Sequence, residues 1–294
     1  MKLEFWTVAY RLRNGSGTLL SDTATPFRVI PNNWRYWHAD PHLFEDGGDT
    51  FVFAEAYDRV LRRGVIRYCR LTKKGPSSWK LALKTPYHLS YPHILRDISG
   101  IYMIPESYVA DEIAVFRAVR FPDKWEKVKV LKTGNEPLDS TVFIHNGVRY
   151  LMTLVTEQGE NKLMRYVLTD DGSLTDGLCI ATNDPNIRPA GHLFRIGDKL
   201  IRPAQDCTES YGCALNFYEV TTSDESKYKE TLIHKIAPGE LRSDWSRTHQ
   251  GLHTYNVTPH YEIVDLKSYE VDILAWITRP VWFIWRRIRK VFGK

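Results

Sequence analysis

Short runs of alternating apolar and polar residues recur along most of the chain. The clearest are β-hairpins, in which an apolar strand, a turn rich in Asp, Asn or Gly, and a second apolar strand follow one another. Five such hairpins occupy residues 38–55, 90–106, 138–154, 188–206 and 251–265. Further alternating runs lie between them, and residues 1–265 show no long amphipathic helix pattern. The pattern therefore predicts a protein built from β-strands.

The hairpins repeat with a nearly constant period. When they are aligned, one slot holds His42, His93, Thr141, His192 and His253, at spacings of 51, 48, 51 and 61 residues. A period of about 50 residues with four strands per unit is typical of a propeller blade. We therefore predict an all-β fold, a five-bladed β-propeller over residues 1–270. The segment near residues 5–11 is expected to add a strand that closes the last blade.

A β-sandwich with accidental likeness between its hairpins is the alternative fold. Five recurrences in one register favour the propeller. The end of the chain follows a different pattern, because Val281, Ile284 and Ile288 recur at helical spacing. Residues 271–294 are thus predicted to form a C-terminal amphipathic helix.

Charge supports a role for this helix at a membrane. Residues 279–294 hold six basic residues and no acidic one, so the remaining chain has a net charge of 5 − 6 = −1. A basic helix rich in Trp and Phe is typical of an interfacial anchor. We predict that residues 272–294 bind an anionic membrane surface, the alternative being that they pack on the propeller or in a dimer. The near-neutral body argues against nucleic-acid binding.

The predicted location follows from three absences in the sequence. The N-terminus lacks the apolar core of a secretory signal, no apolar run is long enough to span a bilayer, and the four cysteines lack CxxC spacing. We therefore expect free thiols in a cytoplasmic protein, held peripherally on the inner face of the plasma membrane.

Carboxylates occupy equivalent places in several hairpins. Asp40 and Asp139 lie two residues before the aligned slot, and Glu55 and Glu106 end second strands that are otherwise apolar. Such acids are costly to bury unless they are paired or used. Glycosyl transfer needs one carboxyl to donate a proton and another to activate a nucleophile. We predict Asp40, Asp139 and Glu106 as catalytic residues.

Two alternatives concern these acids and the aligned histidines. The acids could pair structurally with Arg35, Arg188 or Arg202. The imidazoles of His42, His93, His192 and His253 could converge on the propeller axis and bind a divalent metal. Zinc prefers nitrogen ligands, whereas calcium would need oxygen atoms from Asp40, Asp139 or water.

Several strings resemble one family. They are W-x-A-D-P at residues 37–41, YHLSYPH at 87–93, MIPES at 103–107, LDST at 138–141, RPAG at 188–191, IRPAQD at 201–206, YGCALNFYEV at 211–220 and GLHTYN at 251–256. Over residues 30–265 the chain resembles the N-terminal propeller domain of plant glucosamine inositolphosphorylceramide transferases and their stand-alone bacterial relatives. That domain is similar in fold to the propellers of family 43 and 32 glycoside hydrolases and levansucrases.

The resemblance implies roles for individual residues. Asp40 matches the general base or nucleophile of those hydrolases, and Asp139 matches the aspartate that orients their site. Their proton-donating glutamate has no counterpart in blade four, so Glu106 is the substitute. The residues expected to bind substrate are Glu55, Arg188, Arg202, Gln205, Asp206 and Trp37.

Three functions are compatible with these residues. The first is a membrane-associated glycosyltransferase of surface polysaccharide or glycolipid assembly, in which Arg188 and Arg202 neutralise a phosphate leaving group. The second is a glycoside hydrolase with the same acids. The third is a non-catalytic glycan-binding propeller, because this fold hosts many functions.

Overall fold

The chain folds as an all-β, five-bladed propeller, as the repeat predicts. The computed structural model describes residues 2–13, 15, 17–224 and 227–271. The predicted C-terminal helix lies outside these residues. Within the described part of the chain, helical structure is limited to two short 3₁₀ turns, Tyr108–Ala110 and Pro238–Glu240. No helix there is long and apolar enough to cross a bilayer.

The blades are antiparallel sheets formed mostly in sequence order. The chain begins with β1 (Lys2–Leu12) and β2 (Arg28–Ile30), which belong to the last blade. Blade one comprises β3 (Tyr36–Asp46), β4 (Asp49–Asp58), β5 (Arg63–Thr72), β6 (Gly75–Pro76) and β7 (Lys80–Leu83). Blade two comprises β8 (Ser90–Asp97), β9 (Gly100–Glu106), β10 (Glu112–Arg120) and β11 (Lys124–Thr133).

The remaining blades follow the same plan. Blade three comprises β12 (Leu138–His145), β13 (Val148–Glu157), β14 (Glu160–Leu168) and β15 (Leu174–Thr182). Blade four comprises β16 (Phe194–Ile196), β17 (Lys199–Asp206), β18 (Ala214–Ser223) and β19 (Tyr228–Ile236). Blade five has the order β20 (Tyr255–Val257), β21 (Tyr261–Val271), β1 and β2.

Blade five closes the ring with strands from both ends of the chain. β1 pairs with β21 along its whole length, from Lys2 opposite Val271 to Leu12 opposite Tyr261. This pairing confirms the predicted closing strand, and β2 adds a further strand outside it. Closure leaves the first and last blades joined by a continuous ladder of backbone hydrogen bonds, which removes an open edge.

Apolar side chains pack between neighbouring blades. Among the described residues there are five buried apolar clusters, one at each blade junction. The alternation of strand residues explains the division. On β4, Phe53 faces blade two, whereas Val52 and Ala54 face blade five. On β1, Ala9 packs toward blade four while Val8 and Tyr10 pack toward blade one.

Candidate active site

The inner strands of blades one, two and three share a β-bulge at the same point. Register shifts fall between Ala39 and His42, Ser90 and His93, and Leu138 and Thr141. Bulges re-aim side chains and are frequent beside active sites.

Each bulge holds one residue with left-handed backbone. These residues are Asp40 (φ 49°), Tyr91 (φ 40°) and Asp139 (φ 50°). Asp tolerates this conformation better than most residues, but each position still costs about 1–2 kcal/mol relative to extended backbone. Such strain persists only where the surrounding structure holds it.

The bulged residues reach across blade junctions. Asp40 Oδ2 accepts a hydrogen bond from the Tyr91 backbone N–H at 3.2 Å. The Tyr91 hydroxyl lies 2.8 Å from Thr141 Oγ1 and accepts the Gly191 N–H at 2.7 Å. A Cβ on Gly191 would lie 2.0 Å from the Tyr255 carbonyl oxygen, so this close approach requires glycine. The bulges thus tie blades one to four together around the site.

Asp40 is buried and held from several sides. Thr254 Oγ1 donates a hydrogen bond to Asp40 Oδ1 at 3.0 Å, and the Asp40 N–H donates to Asp265 Oδ2 at 3.0 Å. His253 Nε2 lies 3.6 Å from Asp40 Oδ1. The Asp40 side chain is only 7% exposed, yet it lines the cavity described below. It is therefore fixed in position and open to a ligand.

His253 forms a buried pair with Asp265. Its Nδ1 lies 2.6 Å from Asp265 Oδ2, and the Trp6 ring stacks on the imidazole at 4.0 Å. Burial opposes protonation of His253, but the charges of Asp265 and Asp40 outweigh it and raise the pKa of His253 to about 9. His253 is therefore an imidazolium at neutral pH, directly beside Asp40.

The carboxyl groups of Asp40 and Asp139 hold protons unusually well. Burial raises the pKa of Asp40 to about 7, against the lowering effect of the His253 charge. Burial likewise raises the pKa of Asp139 to about 7, against the lowering effect of Arg188. A carboxyl with a pKa near the working pH is suited to exchange a proton with a substrate.

Arg188 joins two acids at the second side of the site. Its Nε donates to Asp139 Oδ2 at 2.5 Å and its Nη2 to Glu106 Oε2 at 3.1 Å. Gln205 Nε2 donates to the same Asp139 oxygen at 2.9 Å, and Ser90 Oγ to Glu106 Oε1 at 2.9 Å. Asp139 is 1% exposed, so it supports Arg188 from behind, while Glu106 and Arg188 face the cavity.

These groups surround one cavity at the loop end of the propeller. Its volume is about 190 Å³, below the roughly 300–1,000 Å³ typical of sites for drug-sized ligands. It is lined by Glu4, Trp6, Trp37, Ala39, Asp40, Glu55, Tyr57, His88, Ser90, Glu106, Arg188, Tyr211 and His253. The size fits one small polar unit, such as a single sugar ring.

One wall of the cavity is aromatic and one is acidic. Trp37 stacks on Tyr57 with ring centroids 4.7 Å apart. Glu55 Oε1 lies 3.2 Å from His88 Nε2. Burial opposes protonation of His88, but the Glu55 charge outweighs it and raises the His88 pKa. Flat apolar rings beside fixed carboxylates are the surroundings in which a sugar ring can be both packed and hydrogen-bonded.

The structure brings together most of the predicted site residues. Asp40, Glu106, Glu55, Arg188 and Trp37 line the cavity. Asp139 and Gln205 stand behind Arg188 rather than on the surface of the cavity.

Arg202 and Asp206 are corrections to the predicted substrate site. Arg202 is fully buried inside blade four, where its Nε donates to Glu230 Oε2 at 2.7 Å. Asp206 pairs with Lys235 Nζ at 2.5 Å, and neither residue lines the cavity. Burial works against ionisation of Asp206, but the hydrogen bond from Lys235 outweighs it and lowers its pKa. Both side chains are occupied by structural partners.

Three of the four aligned histidines converge. His42, His93 and His192 place candidate ligand nitrogens within 4.8 Å of one another. Burial lowers the pKa of each ring, to about 4 for His192, so all three are neutral at pH 7. His253 does not join them, because it lies in the separate group with Asp40 and Asp265. The predicted four-histidine set is corrected to three.

The three imidazoles fit a metal only in part. Both ring nitrogens of His42 and Nε2 of His192 have no protein partner, and neutral imidazoles of this kind are good ligands. His93 differs, because its Nε2 accepts the Val142 N–H at 3.1 Å. The neutral His93 ring therefore carries its proton on Nδ1, so neither of its nitrogens offers a free lone pair to a metal. Buried water is the simpler partner for such a donor.

Four residues of the site carry no signal in the hairpin alignment. They are Trp6, Tyr57, His88 and Tyr211. The position of Trp6 could have been predicted in another way. Trp6 lies on the predicted closing strand, where alternation places every second residue on the same face.

Comparison with known proteins agrees with the fold. The family model described as glucosamine inositolphosphorylceramide transferase 1, N-terminal, matches residues 29–258. Glucosamine inositolphosphorylceramide transferase 1 of Oryza sativa subsp. indica is 31% identical over 209 residues, covering 67% of this chain and 28% of the relative. The protein of that name from Arabidopsis thaliana is 26% identical over 256 residues, covering 82% and 32%. The chain spans about a third or less of these relatives' length.

Solved structures show the same fold at low identity. A thermostable family-43 glycoside hydrolase has a TM-score of 0.60 at 11% identity, covering 82% of this chain and 91% of the hydrolase. The β-1,2-mannobiose phosphorylase of Listeria innocua has a TM-score of 0.57 at 11% identity, covering 81% and 92%. An α-L-arabinofuranosidase from Podospora anserina has a TM-score of 0.58 at 10% identity, covering 79% and 90%.

Proposed function

Because this chain belongs to the family of the N-terminal domain of glucosamine inositolphosphorylceramide transferase 1, we propose that it is a carbohydrate-active enzyme of the glycosyl-transfer type. Its reaction takes place in the cavity at the propeller mouth. The observation that carries the proposal is the state of Asp40, a buried carboxyl with a pKa of about 7 that lines a sugar-sized cavity.

Asp40 acts as the general base in this proposal. Its carboxylate removes the proton from an acceptor hydroxyl as that oxygen attacks the sugar carbon. The imidazolium of His253, 3.6 Å away, stabilises the ionised form of Asp40 before the transfer. Thr254 and the Tyr91 N–H hold the carboxylate in one orientation, which lowers the entropic cost of reaction.

Glu106 and Arg188 form the opposite side of the reaction site. Arg188 is shared between Glu106 and Asp139, so it fixes the Glu106 carboxylate against the cavity. Glu106 shapes the sugar pocket, and as the bond to the sugar carbon breaks, the phosphate leaving group of the activated donor departs beside the positive charge of Arg188. Trp37 and Tyr57 provide an apolar face for the sugar ring.

The finer function is membrane-associated glycosyl transfer in surface polysaccharide or glycolipid assembly. The relatives' name pairs a sugar, glucosamine, with inositolphosphorylceramide, and this supports a lipid-linked acceptor. The basic, Trp-rich sequence at 272–294 supports an anchor on the cytoplasmic face of the plasma membrane.

A glycan-binding module is the second candidate, favoured by one observation. Glu55, Glu106 and Asp40 each have an internal partner, in His88, Arg188 and Thr254. A site whose acids are all held in this way can bind a glycan without turning it over.

Labelled sugar donors separate the candidates. The full chain is incubated with a panel of nucleotide-activated sugars and bacterial membrane lipid extract, with a heat-denatured sample as blank. We expect label in the lipid fraction that depends on both donor and protein. Release of reducing sugar from a glycan without any donor would identify a hydrolase. Saturable glycan binding with neither reaction would identify a binding module.

Replacement of His253 by Gln should move the pH profile of the reaction. For an ionised base, kcat/KM rises with pH through the apparent pKa of the Asp40–His253 pair, near 7. Loss of the imidazolium removes a charge that lowers the Asp40 pKa, so the rising limb shifts to higher pH. Activity at pH 6 should therefore fall more than activity at pH 8.

The matched control is His88→Gln, which alters a cavity histidine whose carboxylate partner is Glu55 rather than Asp40. Its rising limb should stay where the wild-type limb lies. A limb that is unmoved in His253→Gln would contradict the role of His253 beside the base.

A further inference from the structure

The propeller end at which the cavity opens carries exposed apolar side chains. Two loops of blade one, residues 31–35 and 58–63, present Trp34, Val60 and Leu61, which are 67%, 37% and 49% exposed. The 3₁₀ turn of blade two adds Tyr108 and Val109, at 43% and 55%. We call these five residues the apolar rim. Along the chain they lie two to four residues from the cavity residues Trp37, Tyr57 and Glu106.

The two parts of the apolar rim lie beside the cavity and are linked through the cavity residue His88. The Arg59 backbone N–H donates to the Arg35 carbonyl oxygen at 2.9 Å, which joins the two blade-one loops. His88 then links the blades, because its ring lies 6.4 Å from Tyr57 and 6.1 Å from Tyr108. A contiguous apolar patch beside a binding site commonly marks an interaction surface.

Charge divides this end of the propeller into two halves. The loops at 31–35 and 58–63 contain four arginines and one aspartate. The turns at 134–137, 157–160, 183–187 and 207–213, which belong to blades three and four, contain five acidic residues and no basic one. An anionic partner would therefore be attracted to the blade-one half and repelled by the other.

The described chain also ends at this half. β21 finishes at Val271, which is 60% exposed, and the neighbouring Glu270 Oε1 lies 2.9 Å from Arg59 Nη2. The sequence that follows, 272–294, has six basic residues, one acidic residue and three tryptophans. That segment and the blade-one loops are both basic, so both suit an anionic lipid surface.

We propose that the apolar rim and its arginines dock on an anionic lipid bilayer, so that the cavity opens toward the lipid headgroups. In this orientation Trp34 and Tyr108 lie at the membrane interface, where Trp and Tyr are enriched. The acidic turns of blades three and four face water. The inference rests on the membrane association in the proposed function, and it adds which face of the propeller meets the bilayer.

Vesicle binding by full-length variants tests the orientation. The vesicles contain phosphatidylcholine with about a third phosphatidylglycerol, and bound protein is measured by flotation. Leu61→Glu combined with Val109→Glu is expected to weaken binding about tenfold or more, because two apolar contacts are lost and two negative charges face an anionic surface. Both positions are exposed, so thermal melting should match that of the wild type.

The matched control is Ile98→Glu combined with Ile144→Glu. These residues are 108% and 60% exposed and lie at hairpin tips on the opposite end of the propeller. The control should bind vesicles as the wild type does. Arg286→Glu with Arg287→Glu, in the C-terminal segment, should weaken binding further when it is combined with the rim substitutions.

Several results would overturn the proposal. The proposal is wrong if the wild-type protein does not float with anionic vesicles. It is also wrong if the rim and control variants bind the vesicles equally well. A rim variant that keeps vesicle binding but loses self-association would assign the apolar rim to a second copy of the chain. Transfer measured with a water-soluble acceptor reports on the Asp40 reaction alone, so the docking and the proposed function can fail separately.

Discussion

Replacement of Asp40 by Asn is expected to reduce turnover by about 10²–10⁴-fold without unfolding the protein. The amide cannot accept a proton from an acceptor hydroxyl, so the general-base step is lost. Asn has the same shape as Asp and also tolerates the left-handed backbone at this position, where φ is 49°. The measurement is kcat/KM from the donor-dependent transfer assay, beside a thermal melt.

Stability should be unchanged or slightly higher in Asp40→Asn. Burial raises the pKa of Asp40 to about 7, which means that the folded protein holds the ionised form unfavourably. Folding therefore loses stability through Asp40 as the pH rises from the carboxyl's unfolded pKa of about 3.9 toward 7. The neutral amide removes this dependence, so the variant should gain relative to the wild type above pH 7.

The matched control is Asp206→Asn, another buried aspartate, whose partner is Lys235 outside the cavity. It should lose some stability and keep the kcat/KM of the folded fraction. Full turnover by Asp40→Asn would eliminate Asp40 as the base. Loss of turnover together with tight sugar binding would show that the cavity binds a sugar without the base that the transfer reaction needs.

The repeat made much of the site predictable from sequence. Strands of period two and a blade of about 50 residues place Asp40 and Asp139 at equivalent points on first strands and Glu106 at the end of a second strand, and closure of the ring brings these residues together. The three converging histidines follow from the same alignment. These predictions depend only on the symmetry of the repeat, so they need no knowledge of side-chain conformation.

In blade five the alignment of the repeats no longer predicts where the side chains lie. In blade one, two residues separate the paired positions Ala39 and His42, whereas in blade five three residues separate Gly251 from Tyr255. The additional residue turns His253 away from the histidine cluster and toward Asp40 and Asp265. The last spacing, 61 residues, exceeds the one before it by 61 − 51 = 10 residues, so it marks blade five as irregular without locating this one residue.

Arg202 shows a second limit. Its partner Glu230 lies two strands away, on β19, and the contact depends on the register of β17, β18 and β19. That register includes β-bulges between β18 and β19 that the apolar pattern does not reveal. A basic residue on an inner hairpin therefore looks available to a substrate, although the folded blade encloses it.

Replacement of Arg202 by Met is expected to destabilise the protein by about 3–5 kcal/mol, because Glu230 keeps its charge in a largely buried place without its partner. Arg202 is fully buried, and its Nε and Nη2 bind both oxygens of Glu230, at 2.7 and 2.5 Å. The measurement is the midpoint of urea unfolding, with kcat/KM determined for the folded protein. Since Arg202 does not line the cavity, kcat/KM should change little.

The double variant Arg202→Met with Glu230→Gln separates lost packing from uncompensated charge. Gln removes the charge but still accepts the hydrogen bond that Tyr228 donates at 2.6 Å. If the stranded charge causes most of the loss, the second substitution should recover at least half of it, as breaking a buried pair costs more than replacing the whole pair. No recovery would mean that packing of the guanidinium against Tyr218, 4.8 Å from its ring, is the larger contribution. A fall in sugar affinity without any loss of stability would instead return Arg202 to the substrate site.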